Sequence, residues 1–274
     1  MAHSLVVLTD FLAVTNRALS YAAGLAVPLN AQLVLLHVRH DGLPVPDGFG
    51  QRFGAAGRPE AVRSLLRLAA AQPIATTVDM AEGLLPGAVA EAIGQHHPLL
   101  VVLSRPGTGA KNAELLVDAV MDLLRQTPHP LLLIPAAGWD VSPPQRLLLA
   151  VDGQPFVFDD RDHQQVLRYL LHATRATLDV VHVTDDTPHP PTNAQVMDTV
   201  RANNLGNTAG RHLHEVYHAE VVSGVMEEAA RLKADMLVVV ARHHSFWGEL
   251  FHRSITAQLL QESSIPVLVL PTQE

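Results

Sequence analysis

His214-Glu215-Val216-Tyr217-His218 spells the His-Glu-x-x-His pattern with which zinc proteases hold their metal. On a helix, residues four apart share one face about 6 Å apart, so two imidazoles can grip one ion. On a strand the same interval spans roughly 13 Å, and the pair cannot close on one metal. A second stretch, Gly107-Thr108-Gly109 with Lys111, offers bare amides and an ammonium that could cradle an anion. Ser104 and Ser254 are hydroxyl candidates, but neither has a base or carboxylate pair in a matching position. The chain has 16 His, with His243, His244 and His252 beside Phe246, Trp247 and Phe251. The histidines read either as a weak metal site or pH-sensitive surface, or as part-buried residues bonding the backbone. The aromatic patch reads equally as a small satellite core or as a partner anchor.

The elements that must position these residues follow from hydrophobic pattern. Apolar runs at Ser4–Thr9, Gln32–Val38, Ala75–Met80, Leu99–Leu103 and Leu131–Ile134 read as strands. Helical stretches fall between them, at Asn16–Val27, Arg58–Ala71, Gly87–Gln95 and Asn112–Gln126. Strands that are apolar throughout and alternate with helices imply an α/β fold with a parallel sheet covered on both faces. Pro135 to Pro144 is dense in Pro and Gly and marks a boundary. The order then repeats, with strands at Arg146–Val151, Thr177–Val183, Glu215–Ala219, Met236–Val240 and Val267–Leu270. Helices of this half fall near Asp162–Ala173, Asn193–Asn203, Gly224–Leu232 and Arg253–Glu262. Gly224 follows Gly87 by 137 residues, and Pro266 follows Pro130 by 136. Leu36-His37-Val38 likewise matches Val181-His182-Val183. A near-constant shift over several blocks indicates duplication. The domains expected are 1–137 and 146–274, with a linker at 138–145.

Bulk composition narrows the function. With 274 residues, 48% hydrophobic and 17% charged, both halves can bury a core. A net charge of −8 disfavours nucleic acid and anionic membranes as partners. There is no Cys, no signal-peptide pattern at Met1-Ala2-His3-Ser4, and no apolar run near the roughly 20 residues of a spanning helix. The expected location is the cytoplasm.

Two blocks carry a family resemblance. The first is Val6-Val7-Leu8-Thr9-Asp10-Phe11 with Arg17–Ala23 and Leu33–Val38. The second is Leu237–His244 with Ser254–Leu260 and Ile265–Pro271. Both halves resemble the universal stress protein family. The resemblance implies two tandem Rossmann-like domains of the adenine-nucleotide-hydrolase-like kind, each a five-stranded parallel sheet of order 3-2-1-4-5. It also implies that the last strands, Leu131–Ile134 and Val267–Leu270, meet antiparallel, so that the chain is an intramolecular pseudo-dimer. A homodimer of whole chains stays open.

Some members of that family bind ATP through Gly-x-x-Gly, nine residues, then Gly-Ser or Gly-Thr. Here the first half has Ser104-x-x-Gly107, then Val117-Asp118. A carboxylate stands where phosphate would lie, and like charges at close range repel by several kcal/mol. The second half has Ala241-x-x-His244, then Arg253-Ser254, with bulky side chains in the loop. The resemblance assigns seven cleft candidates: Asp10, Val38, Ser104, Gly107, Gly109, Asp152 and Ser254. Asp10 and Asp152 also read as turn caps. The expectation is a non-catalytic stress-response or signalling module that acts through protein partners. No catalytic residue and no metal site is expected, and ATP is the one cofactor left in view. The alternative is an ATP-binding member with slow hydrolysis, using Asp10, Val38, Gly107 and Gly109 despite Asp118.

Overall fold

The computed structural model describes residues 3–9, 13–39, 58–105, 111–137, 143–158, 161–184, 191–203, 205, 209–242 and 254–273. Its first repeat runs β1 (His3–Leu8), α1 (Ala13–Ala26), β2 (Ala31–Arg39), α2 (Arg58–Ala70), β3 (Thr76–Glu82), α3 (Leu85–His96), β4 (Leu100–Arg105), α4 (Lys111–Gln126) and β5 (Leu131–Pro135). The second runs β6 (Arg146–Ala150), β7 (Val157–Phe158), α5 (Arg161–Thr174), β8 (Thr177–Thr184), α6 (Asn193–Ala202), β9 (Ala209–Tyr217), α7 (Val221–Leu232), β10 (Met236–Arg242), α8 (Ile255–Glu262) and β11 (Val267–Gln273). The strand orders are β3-β2-β1-β4-β5 and β9-β8-β6-β10-β11, each reading 3-2-1-4-5.

The strands explain the order. Leu5, Val6 and Val7 of β1 are fully buried, as are Leu33, Leu35 and Leu36 of β2 and Val101 to Leu103 of β4. Such runs need cover on both faces, which helices supply in parallel sheets. β1 pairs in parallel with β2 and β4, and β2 with β3. In the second repeat β6 pairs in parallel with β8 and β10, β8 with β9, and β10 with β11.

Duplication also shows in the backbone. Among the described residues, the non-glycine ones with positive φ are Asn30 at 45°, Arg175 at 55°, His97 at 41° and Lys233 at 53°. They form two matched pairs. Asn30 and Arg175 precede β2 and β8, and His97 and Lys233 cap α3 and α7. A left-handed residue of this kind turns the chain sharply out of a helix and frees it to enter the next strand.

By contact density the chain divides into two units. One comprises Met1–Thr127 with Ile134–Pro143, the other Pro128–Leu133 with Pro144–Glu274. Within the second unit Leu131–Leu133 pairs antiparallel with Val267–Val269, as the resemblance implied. The far end of β11 is paired as well, with Thr272 and Gln273 opposite Phe158 and Val157 of β7. β7 was not legible in the sequence, being only two residues long. The third strand of the second repeat also differs from expectation. It spans Ala209–Tyr217 rather than Glu215–Ala219, and ladder pairs with β8 extend it toward its N-terminus through an irregular register near Leu178.

Removing Leu131–Leu133 should therefore bare an apolar strand edge, which is a pairing hazard. A fragment of residues 144–274 is expected to self-associate with concentration in light scattering more strongly than the intact chain. A 144–274 fragment that remains monomeric at high concentration would contradict this.

Candidate functional site

In an open parallel sheet, ligands are met outside the carboxyl ends of the strands where the strand order reverses. That point lies at β1 and β4 in the first repeat and at β6 and β10 in the second. In the first, Val38 and Ser104 stand half-buried at the ends of β2 and β4. Asp10, Gly107 and Gly109 lie outside the described residues, as do His243, His244, Phe246, Trp247, Phe251 and His252. His37 reaches across with Nδ1 2.9 Å from the carbonyl oxygen of Thr9. At the end of β4, Arg105 is only 3% exposed, and burial pulls its guanidinium below the usual pKa.

The second repeat shows the same mouth in fuller detail. His182 Nδ1 lies 3.0 Å from the Val151 carbonyl oxygen, matching His37. The main chain matches too: Thr9 N–H donates to Leu36 and Val151 N–H to Val181. Asp152 follows directly. Its Oδ1 accepts from the Gln154 amide at 3.0 Å and from Arg242 Nη2 at 2.8 Å. Arg242 also donates to the carbonyls of Gln154 and Pro155, both at 2.7 Å. One guanidinium from the end of β10 thus fastens the whole 152–155 turn. Gly153 makes the turn possible, with φ of +77° and Pro191 so close that a Cβ would fall 2.3 Å from its Cγ.

Ser254 is placed with equal clarity. It is the N-cap of α8, and its hydroxyl oxygen accepts from the Ala257 amide at 3.0 Å. The geometry gives Asp152 and Ser254 intramolecular partners. Sequence reasoning passed over Arg105 and Arg242. A usable signal was present: Ser104-Arg105 lies over Ala241-Arg242 at the same 137-residue offset as Gly87 and Gly224.

In the His-Glu-x-x-His stretch His214 to Tyr217 lie on β9 and His218 directly follows it, so none of the stretch is helical. Among the described residues no group of three or more His, Cys, Asp or Glu is arranged to hold a metal. His214 instead faces Glu228 and Asp179, with Nδ1 2.9 Å from Glu228 Oε1 and Nε2 3.5 Å from Asp179 Oδ1. Glu228 is buried yet ionised. Hydrogen bonds from Arg231 hold its carboxyl below the usual carboxylate range, burial opposes this, and the charges of Arg231 and His214 add to the lowering.

Both halves match the universal stress protein family, over residues 1–135 and 144–271. The chain belongs to that family. Its fold is similar to a universal stress protein from Archaeoglobus fulgidus DSM 4304, at 14% identity and TM-score 0.71, covering 98% of this chain and 96% of the other. A functionally unknown protein from Pseudomonas aeruginosa PAO1 is similar at 16% identity and TM-score 0.62, over 99% and 93%. The cytoplasmic domain of a prokaryotic cation chloride cotransporter shares the fold at 10% identity and TM-score 0.54, over 98% and 95%. A search of curated proteins finds no match. No described helix is long and apolar enough to cross a membrane.

Two outcomes follow from this geometry. Arg242→Met keeps the side-chain stem but removes the bonds to Gln154 and Pro155. Asp152 is largely exposed, so most of the loss comes from those two carbonyls, about 1–2 kcal/mol in denaturant unfolding. An unchanged midpoint would show that Arg242 holds nothing. The second outcome concerns acid. A carboxyl held low in the folded state contributes stability that is complete above its unfolded value and lost as pH falls through the folded one. Wild type should therefore lose stability below about pH 4.3 more steeply than Glu228→Gln. Parallel pH profiles of melting temperature would contradict this.

Proposed function

We propose that this protein is a non-catalytic tandem universal stress protein that works in the cytoplasm through contacts with protein partners, its nucleotide loops having degenerated. One observation carries the reading: the polar groups expected to meet a nucleotide in the second repeat are engaged within the chain. Asp152 is bound by Arg242 and by its own turn, and the Ser254 hydroxyl caps α8. A ligand would have to break those bonds, and a buried or half-buried donor left without a partner costs about 1–3 kcal/mol. In the first repeat the Gly-hydroxyl pair is replaced by Val117-Asp118, with Asp118 half-buried on α4. A carboxylate there repels phosphate.

Catalysis would need a nucleophile or activated water beside a base. At the described strand ends Arg242, His182 and His37 bond to backbone carbonyls. These are positioning bonds, suited to a rigid surface.

The test is to denature freshly purified protein and read the supernatant at the adenine absorbance band, then to measure melting with and without ATP and magnesium. A nucleotide-free supernatant and an unmoved melting temperature are expected. Stoichiometric adenine, or a shift of several degrees with ATP, would favour the ATP-binding alternative in the first cleft.

A further inference from the structure

The two histidines of His214-Glu215-Val216-Tyr217-His218 still need an account. Residues four apart on a strand share a face, and both here turn toward α7. His218 Nδ1 accepts from the Glu220 amide at 2.9 Å, and its Nε2 lies 3.9 Å from the exposed Glu227 Oε1. His214 is more enclosed, with 19% of its side chain exposed. It sits at the junction of β8, β9 and α7.

Among the groups described, three charged ones face its ring. Asp179 comes from β8, and Glu228 and Arg231 come from α7. On the opposite face of β9, where α6 packs, Asn193 bonds Glu215 instead. Arg231 grips Glu228 twice, with Nε to Oε2 at 2.7 Å and Nη2 to Oε1 at 2.5 Å. The same Arg231 Nη2 lies 3.1 Å from His214 Nδ1. That nitrogen therefore has an acceptor, Glu228 Oε1, at 2.9 Å and a donor, Arg231 Nη2, at 3.1 Å.

A single nitrogen cannot use both. A neutral imidazole carries one N–H. With that proton on Nε2, toward Asp179, Nδ1 accepts from Arg231 and turns a lone pair on the Glu228 oxygen. A second proton, on Nδ1, converts that contact into a donated, charge-assisted bond to Glu228. We propose that His214 is a proton-operated clasp, which fastens helix α7 to edge strand β9 when protonated and relaxes it when neutral. The device lies away from the carboxyl ends of the strands and does not depend on whether either cleft takes a ligand. Through it, protonation of one ring sets how firmly one surface helix is held.

The test uses the full chain with 15N-labelled histidine, followed by NMR from about pH 8.5 to about pH 5.5. His214 is assigned by the signal lost in His214→Gln. Its Nδ1 is expected to pass from an acceptor nitrogen to a protonated one. Over the same range, amide protection within α7, corrected for intrinsic exchange, should rise about tenfold. His214→Gln and Glu228→Gln should each abolish that rise. The proposal is overturned if His214 keeps one protonation state throughout, if α7 protection is flat in wild type, or if the rise survives in His214→Gln. Should Glu228→Gln fail to fold, the wild-type titration and His214→Gln still decide.

Discussion

A strand covered by helices on both faces has no room for a polar side chain except at its ends. That constraint shapes both repeats of this protein. Leu5 to Val7, Leu147 to Leu149 and Leu268 to Leu270 are almost wholly out of water, so the chemistry of each sheet is confined to the residues that follow the last apolar one. At those positions the chain must choose between holding itself together and holding something else. Hydrogen-bond capacity at the mouth of a parallel sheet is limited, and a donor committed to a carbonyl is withdrawn from any ligand.

In the second repeat that choice is visible atom by atom. His182 Nδ1 is spent on Val151, while its buried Nε2 has no hydrogen-bond partner among the described residues; Arg242 is spent on Asp152, Gln154 and Pro155, and Ser254 on the first turn of α8. The first repeat shows the same histidine bond at His37 and a buried arginine at the matching place. Duplication has thus preserved an internal framework at the strand ends. It is a framework that ties the strand ends to the backbone around them.

Much of the fold could be read from the chain. The alternation of apolar runs and helical faces gave the α/β class, and the near-constant offset between Gly87 and Gly224 and between Pro130 and Pro266 gave the duplication. Strand placement failed where local pattern is weak. The N-terminal half of β9 includes Gly210 and Arg211 and is held by its ladder with β8, while β7 is two residues that exist only because β11 has a free edge there. The site was harder. Asp152 could be named as a strand-end carboxylate, but its partner Arg242 lies 90 residues away in sequence. Such a pairing is a tertiary fact. Likewise the four-residue spacing of His214 and His218 was visible, whereas Glu228 and Asp179, which give His214 its setting, come from two other elements.

The His-Glu-x-x-His stretch shows why a motif needs its secondary structure. On a helix the same letters would converge on a metal, and on β9 they diverge onto successive turns of a packed helix. The central claim, that Asp152, Arg242 and Ser254 are already bonded within the chain, is tested most directly by calorimetric titration of the intact protein with ATP and magnesium. The account predicts no saturable heat up to millimolar nucleotide. Micromolar, one-to-one binding that Ser254→Ala weakens would contradict it.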